Sequence, residues 1–152
     1  LTKRFRIFYS SATRGPAMEE KPDLKFRHVG WPAAFAIALM AASVFLLDEN
    51  KFPPPMVTLI LSVPFAPLLA KITNSGDFKE HAFGIGVVCI PMSGFWAFGP
   101  NYFNIAFPFL VWIWQCASWS KKDHPPFRYG IWHGFGIASC ILPAVMLVAS
   151  IA

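Results

Sequence analysis

Charge is scarce in this sequence. Only 14% of its 152 residues are Asp, Glu, Lys or Arg, whereas 55% are hydrophobic and 16% are aromatic. The mean hydropathy of +0.48 is higher than a soluble domain of this size needs. The scarcity of charge therefore argues against an ordinary soluble domain and predicts an integral membrane protein.

Cysteine is scarce as well. The chain has three cysteines, Cys89, Cys116 and Cys140, and all of them lie within apolar segments rather than in connecting loops. A disulfide framework, which places its cysteines in loops, is therefore not predicted. We interpret the three thiols as small buried hydrophobic groups.

Nucleic acid is not an expected partner, although the chain has a net charge of +5. Its lysines and arginines do not form a face with interleaved aromatic residues, which a nucleic-acid-binding surface shows. They lie instead in the short segments that flank apolar runs. Basic residues in such positions act as topology anchors.

The first 28 residues differ from the rest of the chain. They are rich in Lys, Arg, Ser and Thr and contain no acid before Glu19, a composition typical of an organelle import segment. Arg6, followed by Ser10 and Ser11, resembles the end of a mitochondrial presequence. A basic arm lying on anionic headgroups would have the same composition. Both interpretations stay open, and so does whether residues 1–28 belong to the mature protein.

From residue 29 onward the chain consists of apolar runs, each near the length that crosses about 30 Å of hydrocarbon. Prolines open or interrupt most of them, and we expect the second run to be kinked at Pro64 and Pro67. We predict an all-α, polytopic membrane domain over residues 29–152 with five transmembrane helices, at about 29–47, 53–70, 82–98, 101–119 and 129–150.

The basic residues predict the orientation of these helices. Of the 13 lysines and arginines, all except Lys51 fall on one side of the membrane when the five spans alternate in direction. By the positive-inside rule, the N-terminus lies on the inner side, which is the matrix or stroma of an organelle. The predicted spans contain no Lys, Arg, Asp or Glu, so ion transport by this chain alone is not expected.

Small residues at four-residue intervals predict two faces for helix packing. Such stripes allow the backbones of two helices to approach closely. The sequence leaves open whether each face meets another span of this chain or another subunit. The two stripes are Ala34, Ala38 and Ala42, and Gly130, Gly134 and Ala138.

All four histidines map to the inner side of the predicted topology: His28, His81, His124 and His133. If the third helix begins before Asp77, this residue and His81 share a face, and the carboxylate could orient the imidazole. No two histidines have a diagnostic metal spacing such as HxxxH or HExxH. Haem, chlorophyll or zinc ligation stays open, with His81 and His133 as candidate cofactor ligands. No catalytic residue is predicted.

One family resemblance bears on these residues. Tyr129-Gly130-Ile131-Trp132-His133, with Ser139 and the Asp77/His81 pair, resembles the signatures of the membrane hydrolase superfamily that includes alkaline ceramidases and adiponectin receptors. In that superfamily a Ser, an Asp and three His surround a zinc ion. The resemblance implies a zinc-dependent membrane hydrolase. The superfamily has seven spans, however, and Ile137 stands where its last helix usually carries a second histidine.

The short loops leave no room for a soluble domain, and proline-broken helices need lateral support. We therefore expect a non-catalytic accessory subunit of a multi-subunit organellar membrane complex, preferably of the respiratory chain in the mitochondrial inner membrane. Its expected partners are other membrane subunits and phospholipid. The alternatives are a degenerate zinc hydrolase and a pigment- or haem-binding subunit of a photosynthetic (thylakoid) membrane. For the last, residues 23–28 are similar to the ExxxxR opening of light-harvesting helices.

Overall fold

A computed structural model describes residues 24–46, 52–120 and 122–151, and all regular structure in these ranges is α-helical. The prediction of an all-α chain is confirmed for them. The helices are α1 (Leu24–Leu46), α2 (Pro54–Ser62), α3 (Ala66–Thr73), α4 (Phe78–Trp96), α5 (Tyr102–Trp119), α6 (Pro126–Ser139) and α7 (Ile141–Ala149).

Helix α1 contains the clearest candidate for a membrane span, the 20-residue stretch Phe26–Phe45. The helix begins at Leu24, so the last five residues of the predicted basic arm belong to it. The other residues of that arm, 1–23, lie outside the described residues. Pro32 is tolerated inside α1, where it is buried against the glycine-rich helix α6 at Gly136.

Two of the predicted spans are broken helices. Helices α2 and α3 are bent by 62°, and α6 and α7 by 42°. The first break lies where Pro64 and Pro67, which have no backbone N–H, cannot donate to the preceding turn. The kink predicted for the second run is therefore confirmed. Pro143 withdraws the same bond from the Ser139 carbonyl at the second break.

Among the described residues, one helix is long and apolar enough to cross a membrane. If each bent pair is counted as one span, the number of such spans rises to as many as three. Helices α4 and α5 are not among these spans; the first turn of α4 contains Lys79 and Glu80, and α5 carries Asn104 and Gln115. The arrangement of five spans stays a prediction, as does the orientation of the N-terminus.

The core lies between α1, α2, α4, α6 and α7. Large side chains from all five helices are fully buried there, while α5 lies chiefly against α6 at the edge of the bundle. Representative core residues are Met40, Leu59, Ile85, Ile137 and Ile141.

Glycines bring α4 and α6 into backbone contact. A Cβ atom added at Gly130 would lie 2.9 Å from the Cα atom of Gly84, and one at Gly134 would lie 2.9 Å from Cβ of Val88. Ala138 is also buried, so this small-residue stripe lies inside the chain. The other stripe differs, because Ala34 and Ala38 are exposed and Ala42 is partly exposed.

Candidate functional site: a buried histidine cluster beside a polar cavity

Three histidine side chains from three helices meet at one end of the bundle. The Nδ1 atom of His28 in α1 lies 2.9 Å from Nε2 of His133 in α6. The Nδ1 atom of His133 lies 2.8 Å from Nε2 of His81 in α4. The rings therefore form a hydrogen-bonded chain with His133 at its centre, which we call the histidine cluster.

The histidine cluster is shielded from solvent. His81 and His133 are 0% exposed and His28 is 2% exposed. Buried polar rings are tolerated when their nitrogen atoms are hydrogen bonded, as four of the six are here. The remaining two are Nε2 of His28 and Nδ1 of His81. The backbone carbonyl of Ala66 lies near the His81 ring, but no described group has hydrogen-bond geometry to its Nδ1 atom.

Aromatic rings hold His28 in place. Its ring stacks on Tyr129 at a centroid distance of 4.5 Å and an interplanar angle of 14°, and on Trp132 at 5.4 Å and 27°. Trp132 is in turn fixed by its indole N–H, which donates to the Cys116 sulfur in α5 at 3.3 Å. Stacking and packing thus determine the orientation of the His28 ring, whose Nδ1 atom faces His133 in α6.

The glycine contact between α4 and α6 places His81 beside His133. Gly130 lies directly against the backbone carbonyl of His81, at a separation that leaves no space for a Cβ atom. His133 follows Gly130 by three residues, so both lie on the face of α6 that meets α4. The imidazoles of His81 and His133 can therefore come within hydrogen-bond distance only because residue 130 is a glycine.

Asp77 starts α4 but does not contact the histidine cluster. Its carboxylate accepts hydrogen bonds from the backbone N–H groups of Lys79 at 2.8 Å and Glu80 at 3.1 Å. The hypothesis that Asp77 orients the imidazole of His81 is therefore wrong. As the residue before the first helical turn, Asp77 is directed at the free N–H groups of its own helix, where a carboxylate is most favourable.

A cavity of about 400 Å³ adjoins the histidine cluster, and His28 and Tyr129 form part of its wall. Its volume is in the range of small-molecule sites. Exposed side chains at its rim open it to the surface. The lining comes from α1, the end of α3 and the turn that follows it, the segment before α6, and the start of α6: Arg27, His28, Thr73, Asn74, Ser75, Gly76, Asp123, His124, Pro126 and Tyr129.

The turn between α3 and α4 is shaped by left-handed backbone. Asn74 (φ 55°) and Gly76 (φ +88°) adopt this conformation, which Asn and Gly tolerate best. The Ser75 N–H donates to the Ala70 carbonyl at 3.0 Å and so closes the end of α3. The chain reverses here, which places the side chains of Thr73 and Ser75 beside the cavity.

The histidine cluster, in the geometry of this structure, does not form a metal site. A tetrahedral zinc site needs nitrogen atoms that converge on one point at about 2.0–2.1 Å. Here both nitrogen atoms of His133 face a neighbouring ring, and at least one ring would have to rotate. Among the described residues, no group of three or more His, Cys, Asp or Glu side chains is arranged to hold a metal ion.

Comparison of the chain with protein-family models, with curated proteins and with solved structures finds no match. The site is therefore interpreted from its own geometry.

The structure brings together some, but not all, of the residues that the sequence analysis singled out. His81 and His133 are together, whereas Ser139, the serine of the family resemblance, donates its hydroxyl hydrogen to the Phe135 carbonyl of its own helix at 2.6 Å. Ser139 follows His133 by six residues, about 9 Å along the helix. It does not belong to the histidine cluster.

His28 is the member that sequence reasoning did not select. The signal that could have found it was present, because all four histidines map to the same end of the predicted spans. His124 shares that end but is not in the cluster, since its Nε2 atom lies 3.0 Å from the Trp119 carbonyl. Spacing along the chain does not separate these two cases.

Proposed function

We propose that this chain is a non-catalytic accessory subunit of a multi-subunit membrane complex. The observation that carries the proposal is the apolar exterior of the helices, above all of α5, which is covered on one side only. Large hydrophobic side chains are exposed along it: Phe103, Phe107, Phe109, Leu110, Ile113 and Trp114. A surface of this kind requires lipid or another apolar protein surface as its environment.

The broken helices also support a role within a larger assembly. The chain itself satisfies the carbonyls that Pro64 and Pro67 leave, since the Val63 N–H donates to Ile60 and the Ala66 N–H to Val63. The bends of 62° and 42° nevertheless divide both pairs into short segments, which need lateral support in a membrane. The exposed alanines of α1, Ala34 and Ala38, offer a face on which another helix can approach closely.

The organellar location is a further part of the proposal and rests on the sequence. The basic, acid-poor arm of residues 1–28 is typical of an import segment. It favours the mitochondrial inner membrane, where the chain would belong to the respiratory chain. A thylakoid membrane is the alternative. In both cases phospholipid is an expected bound component.

Extraction of the native membrane in a mild detergent, followed by native gel separation and mass spectrometry, tests the proposal. The chain of 17.0 kDa should migrate far above its own mass, together with other proteins. A free monomer as the dominant species would contradict it. Ala38→Leu should weaken assembly when the alanine face of α1 meets a partner helix, and Ala97→Leu provides the same change at an exposed position just after α4.

A zinc-dependent membrane hydrolase is a second candidate, favoured by the convergence of three histidines beside a polar cavity. Ser75 and Asp123 line that cavity together with His28. A hydrolase needs its ligands both to retain zinc and to activate a bound water molecule. About one zinc per purified chain, lost in His81→Ala and in His133→Ala, would favour the hydrolase over the subunit. A Soret band lost in the same variants would instead indicate haem.

A further inference from the structure

The polar cavity gathers groups that suit an anion. Arg27, His28 and His124 all line it, so three basic side chains share its wall. Asp123 is the acidic residue of the lining. Outside the cavity, Lys79 and Lys122 are exposed in the neighbouring segments, and Asp77 and Glu80 are exposed beside Lys79. The positive charge of the site therefore comes from the lining itself and not from its surroundings.

Most of the polar groups that line the cavity are hydrogen-bond donors. The Arg27 guanidinium carries five N–H donors in a planar fork that matches phosphate oxygens. Nδ1 of His28 is engaged by His133, which leaves Nε2 as the ring atom available to the cavity. The Asn74 amide and the Tyr129 hydroxyl supply further donors.

The hydroxyls of the α3–α4 turn are oriented by their own bonds. Thr73 donates its hydroxyl hydrogen to the Leu69 carbonyl at 2.7 Å. The hydrogen shared between Thr73 and Ser75, whose oxygens are 2.6 Å apart, therefore comes from Ser75. The Ser75 oxygen keeps lone pairs free, so this corner of the cavity accepts hydrogen bonds and suits a ligand hydroxyl better than an anionic oxygen.

The positions of the N–H hydrogens in the histidine cluster connect His28, at the cavity, with His81, at the other end of the cluster. Three neutral imidazoles carry three N–H groups, and the two ring-to-ring bonds use two of them. The third lies at one end of the chain, on Nε2 of His28 or on Nδ1 of His81. These are two states of the same cluster, with the hydrogen bonds running in opposite directions.

We propose that the cavity binds a phosphate group, whose oxygens accept hydrogen bonds from the Arg27 guanidinium and from Nε2–H of His28. A phosphate at His28 requires the hydrogen on Nε2, so Nδ1 of His28 accepts from Nε2–H of His133. Nδ1 of His133 then accepts from Nε2–H of His81. The bound anion thereby leaves Nδ1 of His81 unprotonated, at the end of the cluster where no described group has hydrogen-bond geometry to that atom.

Phosphate can come from a lipid headgroup or from a soluble phosphate. The cavity of about 400 Å³ has room for a phosphate with an attached glycerol or other small group. In the predicted five-span topology, its place at the end of the helices is the depth at which phospholipid headgroups lie. The site does not depend on the role of the chain as an accessory subunit.

Titration of the purified full chain in detergent tests the inference. One arm uses inorganic phosphate and the other uses short-chain phosphatidylglycerol, with ¹⁵N NMR of the histidine rings as the readout. We expect saturable binding in at least one arm, with the His81 Nδ1 signal moving to that of an unprotonated nitrogen. Saturation in the lipid arm alone assigns the site to a headgroup, and saturation with phosphate alone assigns it to a soluble ligand.

Two matched variants complete the test. Arg27→Gln removes an exposed cation from the cavity and should weaken binding by at least about tenfold, because it removes charge-assisted hydrogen bonds to the phosphate oxygens. Lys79→Gln removes the same charge from an exposed position outside the lining and should leave affinity within about twofold. No saturable binding in either arm, equal affinity of Arg27→Gln and the unmodified chain, or binding without a response at His81 would each overturn the inference.

Discussion

The Nε2 atom of His81 lies 2.8 Å from the Nδ1 atom of His133, although 52 residues separate them in sequence. The two residues belong to α4 and α6, whose backbones touch at Gly84 and Gly130. The hydrogen bond between the imidazoles and the glycine contact are parts of one interface. A substitution that disrupts the hydrogen bond should therefore also weaken the glycine contact, and the reverse should hold. The first two predictions test the two parts separately.

His133→Ala should lower the free energy of unfolding by about 2–6 kcal/mol, because it leaves Nδ1 of His28 and Nε2 of His81 buried without partners, at about 1–3 kcal/mol each. The variant should still insert and fold at low temperature. His124→Ala is the control, since this ring is only partly buried and makes one hydrogen bond. Thermal or denaturant unfolding in detergent measures both. Equal losses in the two variants would contradict a special role for the buried ring.

Gly130→Ala should destabilise the chain by about 1–3 kcal/mol or more, because its methyl group would meet the backbone of α4 and cannot be accommodated by rotation of a side chain. Gly94→Ala is the matched control. No atom lies within 4 Å of a Cβ added there, so the exchange should gain about 0.5–1 kcal/mol from helix propensity. Unfolding curves of the two variants should shift in opposite directions, and a shared direction would argue against the close approach of α4 and α6.

Asp77→Ala should cost about 0.5–2 kcal/mol, because the N–H groups of Lys79 and Glu80 lose their acceptor. Asp77→Asn should retain most of the stability, since an amide oxygen caps a helix about as well. Neither exchange should alter the histidine cluster directly, as Asp77 does not bond to it. A comparison of unfolding midpoints distinguishes the cap from a contact with His81, and a cost of Asp77→Asn equal to that of Asp77→Ala would reject the cap.

Cysteine labelling should reveal opposite sides of the membrane for neighbouring turns. In a background without the three native cysteines, probes at Asn74 and Lys122 should react from one face, and a probe at Pro100 from the other. All three positions are exposed in the structure, so accessibility does not limit the reaction. Labelling of Asn74 and Pro100 from the same side would break the five-span topology.

Much of the helical layout could be predicted from local features of the sequence. Apolar runs and their prolines are properties of neighbouring residues, so the breaks near Pro64 and Pro143 follow from the missing N–H groups. Helix boundaries depend on other features. Helix α4 begins four residues before the predicted span because Asp77 caps it, and a hydropathy window does not detect a capping carboxylate.

By itself, the sequence determined that the chain is apolar and helical and that its four histidines lie at one end of the predicted spans, because composition and order along the chain are sufficient for those conclusions. Only the tertiary structure decided that His28, His81 and His133 meet while His124 bonds elsewhere. It also decided that Asp77 serves its own helix and that a cavity forms beside His28. The physical reason is that packing depends on pairs of surfaces distant in sequence. Here that pair is the glycine contact of α4 with α6, which no single segment encodes alone.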